Sequence, residues 1–222
     1  TAADSSKDQS YFLHRLGPEI LGRVLFPLGE KTKPEVRDTA RSLGLEVSEK
    51  PESQDFVSGG DYSLVFGGRE GPPGDIVDSD GRVLGRHRGI HLYTIGQRRG
   101  LGVSAGPDPL YVLRLDAERN RIVVGPGDGL FAEGLSAGDA VLSDPSLEGS
   151  AFECRVRIRQ NHAPAPAEVT VRGGTARVLF RAPQRAVAPG QSAVFYDESG
   201  FVLGGGVIEK ALAGEGPAGP GD

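Results

Sequence analysis

One cysteine, Cys154, stands in 222 residues. An internal disulfide framework and a CxxC metal site are therefore both excluded, and the count suits a reducing cytoplasm. No apolar run reaches the roughly 18 residues that a membrane-spanning helix needs. No basic-then-apolar leader opens the chain, so neither a membrane nor secretion is expected. Methionine is absent, even at position 1. With the abrupt start TAADSSKDQS, this points to a fragment of a longer protein. The P-loop pattern is missing, and no repeat has a solenoid period.

What is present is turn-rich and unevenly charged. The chain holds 34 glycines and 16 prolines, is 37% hydrophobic and 25% charged, and has a net charge of −5. That balance is globular, and it favours short strands and many turns over long helices. Against the acidic total, residues 82–107 carry five arginines and no acid, and residues 154–196 carry seven arginines against Glu168 alone. The asymmetry is more informative than the sum. Arginine supplies 20 of the 25 basic side chains, and its guanidinium binds phosphate in a bidentate way and stacks on bases.

The chain reads as mainly β with some α. Residues 1–57 read as helical with one strand. In SKDQSYFLHRL, Ser6 stands three residues before Gln9, a capping-box spacing, and Tyr11, Phe12 and Leu16 form an apolar stripe. VLFPLG reads as a buried strand end. In KTKPEVRDTARSLGL, Pro34 suits the first helical position and Gly44 the residue just past the helix end, with Val36, Ala40 and Leu43 on one face. Residues 58–132 read as a small β-rich domain with hairpins around SDG and AERN. Residues 133–212 carry short strands at barrel-like spacing, and 213–222 form a disordered tail.

In FECRVRIRQ, Phe152, Cys154, Val156 and Ile158 alternate with Glu153, Arg155, Arg157 and Arg159. The arginines are expected on an exposed face suited to phosphates along a nucleic-acid strand. Cys154, on the apolar face, reads as a small buried hydrophobe. His87 and His91 share no helix face and have no nearby acid or cysteine to complete a metal site. DSDG at 78–81 lacks the glutamate of a calcium loop and reads as a turn.

YTIGQRRGLG (93–102) resembles the signature of the bacterial tRNA-specific 2-thiouridylases. KDQSYFL (7–13), FPLGEKTKPEVRDTARSLGL (26–45), PESQDF (51–56), GDY (60–62), GDIVDSDGRVLGRHRGIHLYTIGQRRGLG (74–102), PLYVLRLD (109–116), RAPQRAVAPGQSAVFYD (181–197) and VLGGGVIE (202–209) resemble the family in the same order. The resemblance implies an N-terminal ATP-pyrophosphatase domain, a small central domain and a C-terminal β-barrel. Only the tail of the first, at 1–57, is matched, followed by 58–132 and 133–212. The SGGxDS-type phosphate loop is missing, so ATP with Mg is implied only for a missing N-terminal domain and no cofactor for this fragment.

The family's activity, adenylation of the wobble uridine and replacement of its 2-oxygen by sulfur, is implied for a longer protein, with this chain inactive alone. The resemblance implies tRNA contacts at Lys7, Asp8, Gln9, Arg157, Ile158 and Gln191. It places Gln97, Arg98 and Arg99 in a tRNA or active-site loop. Arg157–Ile158 departs from a pair whose second member is often Tyr. No catalytic residue is expected in this chain, because Val57 stands near the place of the family's second catalytic cysteine. A sulfur-carrier protein or sulfide donor is a further implied partner, with an iron–sulfur variant open. The competing reading is a stand-alone RNA-binding β-barrel module without catalysis. A methyltransferase would need an S-adenosylmethionine site, and the sequence offers none.

Overall fold

The computed structural model describes residues 1–49, 71–104 and 106–212. The expectations that fall on PESQDF, Val57, GDY and the 213–222 tail lie outside those residues. Residues 1–49 share one compact unit with 133–184 and 188–212, and residues 71–132 with 185–187 form the other.

The N-terminal segment is less regular than its pattern suggests. SSKDQSYFL makes two 3-10 turns, Ser5–Lys7 and Ser10–Leu13, not one capped α-helix. Asp4 is the cap, accepting from the Ser6 amide at 3.1 Å and the Ser6 hydroxyl at 2.7 Å. Asp8 then takes the Ser10 amide at 3.1 Å. Such local bonds compete with helical ones, which is why the Ser6–Gln9 spacing does not cap a helix. A single turn follows, α1 (Pro18–Leu21). VLFPLG is not a strand: Leu25 is 89% exposed and Phe26 52%. Pro27 brings no amide hydrogen for a ladder, and the chain turns instead through Gly29 N–H to the Phe26 carbonyl.

The helix α2 (Lys33–Ser42) stands where its sequence places it. Thr32 and Glu35 cap it reciprocally, Pro34 sits one position later than expected, and Gly44 follows the end at φ +68°. Leu43, Leu45 and Val47 nevertheless stay exposed.

The second unit holds a four-stranded sheet in the order β2-β1-β4-β3, where β1 is Gly74–Val77, β2 Val83–His87, β3 Tyr111–Asp116 and β4 Arg121–Gly125. The two hairpins stand where expected. They are joined by a parallel β1–β4 pairing that local turn signals cannot reveal. Asp78 closes the SDG turn, accepting from the amides of Asp80 and Arg82. Ile76, Val112, Ile122 and Val124 are fully buried, and Leu101 nearly so. In register on the other face, Arg86, Asp75, Arg121 and Asp116 run across the four strands. Opposite charges alternate along that row, a favourable cross-strand pattern.

The barrel closes in the order β10-β5-β8-β7-β6-β9. Its strands are β5 (Phe131–Leu142), β6 (Ala151–Arg157), β7 (Ala165–Arg172), β8 (Thr175–Arg185), β9 (Ser192–Tyr196) and β10 (Val202–Leu212). Closure leaves no free edge. Alternate positions point inward: Cys154 and Val156 on β6, Ala167, Val169 and Val171 on β7, and Ala176 and Val178 on β8 are all at most 5% exposed. Burial pushes the Cys154 thiol up to about 12, so it is no nucleophile at neutral pH.

Candidate nucleic-acid interface

β9 is buried on both faces. Phe195 pairs in register with Val156 and points inward, so Val194 and Tyr196 point out. An uncovered outer face would leave two large side chains in water. The N-terminal segment covers it, with Tyr11 packing on Val194 and Tyr196. Fully burying such side chains contributes about 1.5–3 kcal/mol each. The Tyr11 hydroxyl also donates to the Ser192 carbonyl at 3.0 Å and accepts its amide at 3.1 Å.

This cover places the KDQ residues. Asp8 is buried, accepts from the Ala2 amide at 3.2 Å and the Ser10 hydroxyl at 2.7 Å, and lies 3.6 Å from Arg157. Burial pushes its carboxyl up, but the bonds from Ser10 and Ala2 prevail and hold it below the usual carboxylate range. Gln160 donates to the Asp8 carbonyl at 2.8 Å. Gln9 is exposed and Lys7 half-buried. Both line an apolar-walled groove of about 670 Å³ with Leu13, Leu25, Phe26 and Phe201.

The arginine stripe of β6 alternates as expected but is not an open face. Arg157 is only 18% exposed, with its guanidinium 5.1 Å over the Tyr196 ring. Arg155 pairs with Glu198 at 2.9 Å, and Arg181 with Glu153. Acids from distant strands and loops thus neutralise much of the stripe. Ile158 is 1% exposed in the barrel interior and offers no side-chain surface to RNA. Gln191 is exposed in the turn before β9. The signal for this buried arrangement was the unbroken apolar run of SAVFY, which marks a strand covered on both faces.

Also in this unit, His14 is 5% exposed. Its Nδ1 donates to the Tyr11 carbonyl at 2.9 Å, and its Nε2 has no hydrogen-bond partner among the described residues. Burial, then Arg15, lowers its pKa against the upward pull of the Tyr11 bond. His162 is lowered too, by burial and by Arg159 and Arg157. The folded chain therefore binds these protons less readily than the unfolded chain. Their contribution is full above the unfolded value near 6.5 and is lost as pH falls through it toward the lowered values. The urea midpoint is expected to drop between pH 7.5 and 5.5, and His14→Asn to flatten that limb. An unchanged limb in His14→Asn would contradict the role given to His14.

The signature loop belongs to the other unit. Gln97 shapes it: its side-chain oxygen accepts the Thr94 amide at 3.0 Å and its nitrogen donates to the Arg99 carbonyl at 2.9 Å. The Gly96 amide and Gln97 carbonyl bond to Val112 of β3 at 2.8 and 2.9 Å. Arg98 and Arg99 are thereby held exposed at the tip. Arg98 borders a depression of about 230 Å³ with Ser104 and Asp108. His87, 1% exposed, donates through Nε2 to the Asn120 carbonyl at 3.1 Å and is structural.

Among the described residues, the N-terminus of α2 is not open to a phosphate. It is already met by carboxylates: Glu35 takes the Thr32 amide at 2.7 Å and Asp4 the Lys33 amide at 3.0 Å. Among the described residues no three His, Cys, Asp or Glu gather as a metal site. No described helix is long and apolar enough to cross a membrane.

Comparison with known proteins divides the chain into three consecutive matches. Residues 1–58 match the tRNA methyl transferase HUP domain, 67–126 the tRNA methyl transferase PRC-barrel domain, and 133–208 the aminomethyltransferase beta-barrel domain. The tRNA-specific 2-thiouridylase MnmA of Geobacter metallireducens is 50% identical over 217 residues, covering 94% of this chain and 58% of the relative. That of Pelobacter propionicus is 47% identical over 228 residues, covering 98% and 62%. That of Roseiflexus castenholzii is 47% identical over 216 residues, covering 94% and 57%. The chain thus spans about six-tenths of the length of the curated relatives it matches.

Proposed function

Because this chain belongs to the tRNA-specific 2-thiouridylase family, we propose that it is the tRNA-binding portion of an ATP-dependent tRNA sulfurtransferase. The whole enzyme would adenylate the wobble uridine and replace its 2-oxygen by sulfur in the cytoplasm. A sulfur-carrier protein or sulfide donor supplies the sulfur. The observation that carries this reading is the unbroken similarity, at 47–50% identity across 94–98% of the chain, to proteins bearing that name. Residues 1–57 are assigned to the tail of the nucleotide domain, 58–132 to the central domain and 133–212 to the barrel. The exposed Leu25, Phe26, Leu28, Leu43, Leu45 and Val47 support a packing partner for the first segment within the whole protein.

The nucleotide and sulfur chemistry is assigned outside these residues. Their part is to grip and present the RNA, and a base must leave its stack to be reached. Lys7, Gln9 and Gln191 are assigned to tRNA contact from the barrel unit, and Arg98 and Arg99 from the signature loop. Gln97 shapes that loop. Asp8 is an anchor and Ile158 a core residue, so neither is retained as a contact.

The purified chain should bind tRNA but not thiolate it. Filter binding across a salt series should show log K falling linearly with log salt, as counterions are released. Absence of salt-dependent tRNA binding would sink the grip. Robust thiolation by the chain alone would sink the division of labour.

A further inference from the structure

We propose that Arg157 is a positioning residue that acts through Asp8 to hold Lys7 and Gln9 in the geometry that meets tRNA, rather than a phosphate contact itself. The inference rests on the tRNA reading above. Four contacts within one unit support it. Arg157 Nη1 lies 3.6 Å from Asp8 Oδ2, with side chains 18% and 5% exposed. The same guanidinium stacks 5.1 Å over Tyr196. The Tyr196 hydroxyl is 3.3 Å from the Ser10 hydroxyl. Gln160 holds the Asp8 carbonyl at 2.8 Å. Arg157, Tyr196 and Gln160 belong to β6, β9 and the turn after β6, and all converge on residues 8–10.

Lys7 and Gln9 flank Asp8 directly. The 3-10 geometry of Ser5–Lys7 and Ser10–Leu13 leaves Gln9 exposed between two short turns. Isolated turns of this length are marginal without tertiary support, so the segment's shape depends on its anchor. A guanidinium already stacked on a ring and facing a carboxylate has little surface left for a phosphate. Lysine could supply charge there but not the planar stack on Tyr196.

The test uses the whole 222-residue chain with Arg157→Gln, Arg157→Lys, Asp8→Asn and the Arg157→Gln/Asp8→Asn double variant. Hydrogen exchange reads the anchor without RNA, and filter binding across a salt series reads the grip. In Arg157→Gln, amides of residues 10–13 should lose protection by at least about tenfold while β7 and β8 keep theirs. Affinity for tRNA should fall about tenfold, the loss of one well-placed charged contact. Any shallowing of the salt slope should be equal in Arg157→Gln and Asp8→Asn, since it comes from the released Lys7 and not from Arg157 itself. Asp8→Asn should match that loss, the double variant should add little to it, and Arg157→Lys should recover only part.

Two results would overturn the proposal. One is a salt slope shallower by about 0.7–0.9 in Arg157→Gln with Asp8→Asn harmless, the mark of a direct phosphate contact. The other is unchanged exchange at residues 10–13. If exchange responds as expected but the wild-type chain binds no tRNA, the tRNA reading falls and the anchor survives only as a structural one.

Discussion

Gly204→Ala is expected to cost the barrel unit about 3–5 kcal/mol, the sum of a strained backbone and an overpacked contact. Gly204 lies at φ +152° at a register shift of β10, where it pairs with Leu142 of β5 on one side and Phe195 of β9 on the other. A β-carbon there would press into the Val141 carbonyl oxygen, with the Leu142 backbone 3.1 Å away. Backbone cannot yield without breaking the ladder that closes the barrel. The melting temperature should fall by roughly 6–20 °C, at 2–4 °C per kcal/mol for a chain of this size. Gly44 is the control: its φ is +68° but nothing lies within 4 Å of an added β-carbon. Gly44→Ala should cost only the left-handed backbone term, about 1–2 kcal/mol. A Gly204→Ala variant that melts within 2 °C of wild type, by this same scale, would show that the strand junction is far more pliable than described.

Arg98→Ala in the whole enzyme is expected to lower turnover roughly 10–100-fold while tRNA affinity falls only a fewfold, because a misplaced reactant costs rate before it costs binding. Arg98 stands exposed at the tip of a loop whose shape is fixed by Gln97 and by two backbone bonds to Val112. Removing the side chain should leave that scaffold intact. Single-turnover thiolation beside filter binding separates the two quantities. Equal losses in both, with a shallower salt slope, would make Arg98 an ordinary phosphate contact instead.

The two hairpins, the barrel strands and the inward-facing Cys154 were legible because each depends on alternation and turn chemistry within about a dozen residues. The capped helix at 33–42 was legible for the same reason. VLFPLG was misread because a short apolar run does not say whether a partner edge exists. Ser6–Gln9 failed as a cap because Asp4 and Asp8 took the nearby amides first. The parallel β1–β4 pairing leaves no mark on either strand alone.

The site was the least legible part. Arg157 and Ile158 looked like neighbours on a contact surface, yet strand alternation puts Ile158 in the core and the N-terminal segment covers Arg157. The partner that decides this, Asp8, sits at the other end of the sequence. Gln160, which holds the Asp8 carbonyl, is 152 positions from it. No local pattern carries information over that distance. The net charge of residues 154–196 likewise overstated the basic surface, because Glu198 and Asp8, which pair with Arg155 and Arg157, lie outside the counted window.

Mass spectrometry of nucleosides from tRNA tests the central claim most directly, in cells from which the gene encoding this chain has been deleted. The expected result is that 2-thiouridine at the wobble position disappears and returns when the intact gene is restored. Wobble 2-thiouridine that persists unchanged in the deletion strain would contradict it.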